Sequence, residues 1–494
     1  MDLQYDAIVV GGGPGGLAIG ALLSKRGYKT AVLERNPWLG GRYRSIEFAG
    51  CRVDNGVHLL TGHVNSKEET FCKQVFDKLG LPIKQKDVSW NMGLVGREGS
   101  DGIEFFTMDR SKGVDAFFEF FAFGANMEMP EQDKKDFRKL FELMASLSLE
   151  ERRKLVNVSW ADWLEQNCAN PMVIAVLSVE AQLLGNTADR LNAGSKISNF
   201  HLFTQSGAVP FWYPEKGTLE DAIIKPLAKL IEKAGGKVIT DCTVRKVMIE
   251  GDRVTGVWAR DNPSDLLHEI KAPIVVTAAP LYFLVGERRP LPREIFPPAW
   301  QQALDVGLSL CDDDLTGLFL LKKKIIPDEY YGWIHLFEAS PEGMPVYVGD
   351  WLKGDFVNAR VPKGKQLVSM FVTAKNNTVP FGMDSSREAV NQCIAAWEGA
   401  MERAFPGFRE SIEAKGMTLQ LNWGRFAWGI VPEEIDVKSP KVKGLYFAAD
   451  SVRNVASLAS DKVYEVALLC EDAIAADLPV SMPTPQRPGT TSQT

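Results

Sequence analysis

The stretch that decides the fold is Asp6-Ala7-Ile8-Val9-Val10-Gly11-Gly12-Gly13-Pro14-Gly15-Gly16, followed by Leu17 to Arg26. Ala7 to Val10 is short, apolar and β-branched, and glycines stop it, which predicts a buried parallel strand. Leu17 to Arg26 has helical composition and ends at Gly27. Lys29-Thr30-Ala31-Val32-Leu33-Glu34 is then a second strand with an acid at its end. Together they form a βαβ unit. Gly11-x-Gly13-x-x-Gly16 has the spacing of a dinucleotide turn: the first glycine permits the turn, the second lets a pyrophosphate approach the backbone, and the third lets helix pack on strand. The helix start supplies N–H groups and a positive dipole end for phosphates. Glu34, 18 residues after Gly16, stands where a carboxylate accepts ribose hydroxyls. Glycines alone are a weak signal; strand, helix and acid in register carry the reading.

The same stretch contains an uncharged run, Ala7 to Ser24, that touches the length of a membrane span. Its glycines, Pro14 and the preceding Asp2 and Asp6 argue against a span and against a signal peptide, so the βαβ unit explains it. The chain has 494 residues with 45% hydrophobic and 24% charged residues, ordinary globular usage. At roughly 150 residues per domain, length alone suggests about three domains. The formal net charge of -7 argues against nucleic acid and does not favour anionic lipid. Seven scattered cysteines without a C-x-x-C read as reduced thiols of a cytoplasmic protein. Five histidines, none at a metal-ligand spacing, predict no metal centre. Peripheral membrane association and oligomeric state stay open.

Further along, residues 65 to 210 read as mainly helical. Pro226 to Ala234 is a helix ended by Gly235-Gly236, and Lys237 to Thr240, Thr243 to Ile249, Arg253 to Ala259 and Pro273 to Thr277 are strands. Between 300 and 425 come Gly317 to Leu321, Val346 to Val348 and Leu367 to Val372 as strands, with a helix near 387–404. Gly444 to Asp450 is a strand ending in an acid, and a helix over 458–476 follows it. The order predicts an α/β chain. A Rossmann-like nucleotide-binding domain is expected from 1–64, 215–285 and 425–478, beside a second, mixed α+β substrate domain from 65–214 and 286–424. The Pro-, Ser- and Thr-rich tail 479–494 is expected to be disordered.

The residues after Glu34 specify the dinucleotide. Glu34-Arg35-Asn36-Pro37-Trp38-Leu39-Gly40-Gly41-Arg42 and Val53-Asp54-Asn55-Gly56-Val57-His58 resemble the flavin-containing amine oxidase and phytoene desaturase superfamily. Gly235-Gly236-Lys237-Val238 through Val244, and Gly444 to Asp450, resemble its adenine-side and C-terminal segments. Tyr213-Pro214-Glu215-Lys216-Gly217 and Val254-Thr255-Gly256-Val257 look more like the phytoene desaturase and carotenoid isomerase branch. The resemblance covers about half the chain. It implies FAD held by Gly11, Gly13, Pro14, Gly15 and Gly16 at the phosphates and by Glu34 at the ribose, with Arg35, Gly40 and Gly41 also among the cofactor-binding residues. Arg42 either neutralises the pyrophosphate or holds the ring, against a solvated loop arginine, with Asn55, Gly56, Val57 and His58 beside the ring and the Val244 backbone at the adenine. Ala278, Asp450 and Ala459 complete the cofactor set. The family usually has glycine before the C-terminal acid and a Pro-Gly-x-Gly-like loop after it; here Ala449 and Asn454-Val455-Ala456-Ser457 stand instead.

What the resemblance implies for chemistry is hydride transfer between substrate and flavin, with oxygen or a quinone as electron acceptor. The protein supplies position and electrostatics. No second glycine fingerprint for a nicotinamide nucleotide is visible, since Gly93-Leu94-Val95-Gly96 lacks the pattern. His58, Lys462 and Tyr464 are the catalytic candidates; a lysine at the start of the last helix either favours reduced flavin or is an exposed cap. Phe117, Phe121, Trp423 and Trp428 are candidates for a wall around a small apolar substrate, against ordinary core packing. The leading expectation is dehydrogenation, saturation or isomerisation of an isoprenoid-like or alicyclic substrate at a C–C bond. Flavin amine oxidation and a flavin-bound scaffold are the alternatives.

Overall fold

The computed structural model describes residues 3–57, 60–61, 70–87, 94–99, 102–107, 109–124, 128, 130–182, 187–206, 211–310, 312–328, 333–339, 345–353, 358–375, 383–420, 435–449, 451–452 and 459–479. Its central sheet is five-stranded and parallel, in the order Lys237–Ile239, Thr30–Leu33, Ala7–Val10, Ile274–Thr277, Leu445–Phe447. In order along the chain that is 3-2-1-4-5, the arrangement of a Rossmann-like sheet. Parallel sheets are covered on both faces, which is why these strands are continuously apolar. Ala7–Val10, Thr30–Leu33 and Ile274–Thr277 are buried along their whole length.

The helix Pro14–Arg26 packs against the last helix, Ala459–Asp477, and against Lys225–Lys233. Pro14 opens it, where its missing N–H is no loss. Gly27 closes it at φ 101, and its N–H returns to Ser24 O. A buried carboxylate fastens the group: Glu471, on the last helix, pairs with Arg26 and, at 2.7 Å, with Lys78 of the helix Phe71–Leu79. Between the third and fourth strands of the parallel sheet, Cys242–Glu250, Arg253–Asp261 and Leu267–Lys271 form a three-stranded antiparallel sheet.

Both long inserts contribute strands to a seven-stranded sheet, which runs Ile412–Gln420, Asp312–Leu321, Gln366–Lys375, Pro345–Lys353, Trp333–Ala339, Leu94–Gly99, Gly102–Thr107. All neighbours are antiparallel except Trp333–Ala339 with Leu94–Gly99. Met383–Ala404 covers it through Trp397 and Met401. Five helices between Val114 and Ser206 share their own aromatic core, in which Phe118 and Phe137 meet at 4.1 Å between centroids.

The α/β architecture and the Rossmann-like unit match the expectation. The mainly helical reading of 65–210 needs correction at its start, where Gln85–Asp87, Leu94–Gly99 and Gly102–Thr107 are strands. Leu94–Gly99 pairs on one side with a strand more than two hundred residues away, so local pattern alone did not announce it. It turns back as a hairpin rather than entering a helix, so no second βαβ unit stands there. Strand Leu267–Lys271 is also additional to the sequence reading.

Candidate functional site

The first strand ends at Gly11, which adopts φ +113, a conformation that side chains rarely reach. A Cβ at Gly16 would stand 2.0 Å from the Gly11 carbonyl oxygen, so strand and helix touch there through bare backbone. Gly13 is the helix N-cap with extended backbone and no side-chain cap. A Cβ built on it meets nothing within 4 Å. Among the described residues, no side chain caps the first N–H groups of the helix, and its first turn holds no acidic residue. That combination suits an anion. Pro14 and Gly15 lie in this same turn, and a Cβ at Gly15 would come within 3.2 Å of Ala448 O from the fifth strand.

Glu34 closes one side. Its buried carboxylate accepts the Gly12 N–H at Oε2 (2.8 Å) and both the N–H and the amide of Asn36 at Oε1 (2.9 and 2.8 Å). An ionised carboxylate offers about four acceptor sites, so one remains for a ligand hydroxyl. Arg35 follows, its guanidinium 6.0 Å from the Phe283 ring and its carbonyl held by the Asn262 amide at 2.8 Å. Val244 is buried on the strand whose first residue, Cys242, donates its N–H to Glu34 O. Ala278 is half-buried and bonds Val10 O through its N–H.

The loop after Glu34 returns to the turn. Gly40 N–H donates to Gly12 O at 2.8 Å, and a Cβ on Gly41 would lie 3.4 Å from Gly13 Cα. Arg42 continues from Gly41, and its carbonyl accepts the Val57 N–H at 3.1 Å; Arg44 O accepts Asn55 N–H at 2.9 Å. Thus Gly11 to Gly16, Glu34, Gly40 to Arg42 and Asn55 to Val57 form one continuous wall. Gly56 sits in it at φ 148. His58, Asp450, Trp423 and Trp428 lie outside the described residues, as do the side chains of Phe117, Phe121 and Ala459. Phe118 and Phe120, beside the two phenylalanine candidates, are buried in the helical core.

The start of the last helix is not the exposed cap that a lysine there allows. Lys462 is 1% exposed, and Asp461 and Tyr464 are buried with it. Asp461 accepts the N–H groups of Phe71 and Cys72 at 2.9 and 2.8 Å, so it satisfies the helix Phe71–Leu79 at its N-terminus. Burial pushes its carboxyl up to about 7 against those two donors, and Glu465 adds to the rise. Ser460 Oγ accepts Thr61 N–H at 2.8 Å. Tyr464 packs edge-on against Phe76, its centroid 6.5 Å away, and burial holds its phenol well above the ordinary range.

A model of the NAD(P)-binding Rossmann-like domain matches residues 9–78. The rat all-trans-retinol 13,14-reductase is 26% identical over 306 residues, 56% of this chain and 48% of its own length. The phytoene desaturase of Neurospora crassa is 40% identical over 83 residues, 17% of this chain and 13% of its own. The chain therefore spans about half or less of these relatives. Among solved structures, an oxidoreductase from Methanosarcina mazei superposes with TM-score 0.65 at 15% identity, covering 95% of this chain and 100% of the other. Cyclohexylamine oxidase from Brevibacterium oxydans does so with TM-score 0.61 at 15% identity, covering 96% and 99%; both likenesses show the fold. The matched domain, the glycine turn with its acid and the sheet order agree on a Rossmann-like nucleotide-binding unit, in a chain similar in sequence to retinol reductases and phytoene desaturases and in fold to an amine oxidase.

Proposed function

We propose that the chain is an FAD-dependent oxidoreductase acting on a C–C bond of a small apolar substrate, isoprenoid-like or alicyclic. The observation that carries this reading is the wall from the glycine turn through Glu34 and Gly40–Arg42 to Asn55–Val57. It extends beyond what a nicotinamide nucleotide turn alone requires. The retinol reductase and desaturase relatives support C–C chemistry over C–N chemistry, because the amine oxidases enter through fold alone.

On this reading Gly13, Gly15 and Gly16 hold the pyrophosphate, Glu34 the ribose, and Arg35 with the Val244 backbone the adenine side. Arg42 adds positive charge next to the phosphates. Asn55, Gly56 and Val57 line the path toward the ring, and His58 and Asp450 belong to the same set. A flavin held there would supply two-electron chemistry between a carbon–hydrogen bond and oxygen or a quinone. Lys462 puts a buried amine near the start of the last helix, which would favour negative charge nearby when protonated.

The test is reconstitution of the purified full chain with FAD, followed by anaerobic mixing with polyene or alicyclic compounds and with small amines. Bleaching by the first group supports the reading. Bleaching by amines with peroxide release replaces it with amine oxidation. Flavin that only dithionite reduces points to a scaffold.

A further inference from the structure

Asp54 is a carboxyl with 1% exposure in the segment before Asn55–Val57, and three chain segments, at Ser45, Tyr213 and Thr218–Asp221, converge on it. Tyr213, from the Tyr-Pro-Glu-Lys-Gly stretch, donates its hydroxyl to Oδ2. Leu219 N–H lies 3.3 Å from both carboxyl oxygens. Ser45 Oγ is 2.9 Å from Oδ1 and also 2.7 Å from Thr218 Oγ1, and Thr218 Oγ1 is 3.1 Å from Asp221 Oδ2. Asp221 is the outer end: its side chain is 37% exposed.

Counting protons decides the state of this chain. A hydroxyl has one proton to give. If Asp54 were ionised, Ser45 would donate to it and Thr218 to Asp221, leaving the 2.7 Å Ser45–Thr218 contact with no proton between two oxygens. If Asp54 carries a proton on Oδ1, it donates to Ser45, Ser45 to Thr218 and Thr218 to Asp221, and every contact is filled. Desolvation acts the same way, pushing the Asp54 carboxyl up to about 7 against the bonds from Tyr213, Ser45 and Leu219. The charged groups around the chain keep the outer carboxylate, not the inner one, ionised. Lys225 and Arg52 pair with Asp221, and both also reach Glu220, which accepts the Ser45 N–H at 3.0 Å.

We propose that Asp54 is a buried proton-holding site, joined to solvent by the relay Asp54–Ser45–Thr218–Asp221. One transfer along it moves the Asp54 proton to Ser45, the Ser45 proton to Thr218 and the Thr218 proton to Asp221. Asp54 is left as a carboxylate that keeps its bonds from Tyr213 and Leu219, and Asp221 becomes neutral. The relay rests on geometry alone; its service to redox turnover, passing toward solvent the proton that the neighbouring carbon releases once a C–H bond has given up hydride, rests on the flavin reading.

The test is infrared spectroscopy of the full chain, without cofactor, between pH 5 and 9. A carboxylic-acid carbonyl band is expected at pH 6, in part from Asp461, whose share is assigned with Asp461→Asn. Asp54→Asn removes the remaining share, and an unchanged band overturns the proposal. Tyr213→Phe, which loses only a hydroxyl, is the second variant: the Asp54 band moves to higher frequency when its carbonyl loses that donor, and an unmoved band contradicts the arrangement. In deuterated water Ser45→Ala keeps the band but slows its isotope shift at least tenfold; exchange at the original rate overturns the relay. FAD binding is measured separately, so its failure would sink the redox use and leave these readouts standing.

Discussion

The Gly12 N–H donates to Glu34 Oε2 at 2.8 Å, tying the turn between the first strand and its helix to the end of the second strand. The contact spans the whole βαβ unit and fixes the carboxylate beside the open space at Gly13. It also explains why an acid is needed there: Asn36 takes the other oxygen with two donors.

Glu34→Gln follows directly. An amide presents one acceptor and one donor to three protein N–H groups, so one bond is lost and the ligand-facing site goes with it. A hydrogen bond to a charged group contributes about 1.5–3 kcal/mol, so FAD affinity falls on the order of tenfold to a hundredfold. Fluorescence titration of both proteins checks this, and equal affinities would contradict it.

Two glycines three residues apart should respond oppositely. Gly13 has φ -77 and ψ -179, open to any residue, with free space at its Cβ. Gly13→Ala should change thermal stability by less than about 1 kcal/mol yet weaken FAD binding at least tenfold, because the methyl enters the anion's place. Gly16→Ala meets Gly11 O at 2.0 Å and should lower stability and binding together. Differential scanning calorimetry beside ligand titration separates the two.

Asp54 and Asp461 predict a pH dependence of stability. Both rise from an ordinary value near 3.8 to about 7 in the folded chain. Between these values the native state keeps protons that the unfolded chain has released. The contribution of each is therefore complete below about pH 4 and lost as pH climbs through 7. The melting temperature should fall from pH 5 to 8, and Asp461→Asn should flatten that fall. A steeper fall in the variant would refute the assignment.

Glu471 is 1% exposed, whereas its partners Arg26 and Lys78 are 39% and 41% exposed in their side chains. Glu471→Ala frees cations that turn to water, so the loss is modest for a buried pair, about 1–3 kcal/mol. Arg26→Ala leaves the buried carboxylate with Lys78 alone. It should cost at least as much, measured by urea unfolding.

The βαβ unit, its acid and the interleaved strands were legible because they are local: an apolar run, a glycine turn and a carboxylate in register. Gly40–Arg42 was legible only through resemblance, and the structure supplies its reason in the Gly40–Gly12 bond. What the sequence could not reveal was long-range. Tyr213 meets Asp54 across 159 positions, and Asp461 reaches Phe71 across 390. Lys462 looked free to be an exposed cap because a residue's burial depends on which helix lies over it. Leu94–Gly99 was hidden because its partner strand comes from the other insert.

On the proposed function, the wall from Gly11 to Val57 holds FAD rather than a nicotinamide nucleotide. The most direct measurement titrates the full chain with FAD and with NAD+ and NADP+, reading flavin fluorescence and visible absorbance. One FAD per chain is expected, with a shifted and structured flavin spectrum and no displacement by either nicotinamide nucleotide. Saturable NAD(P)+ binding that excludes FAD would contradict it.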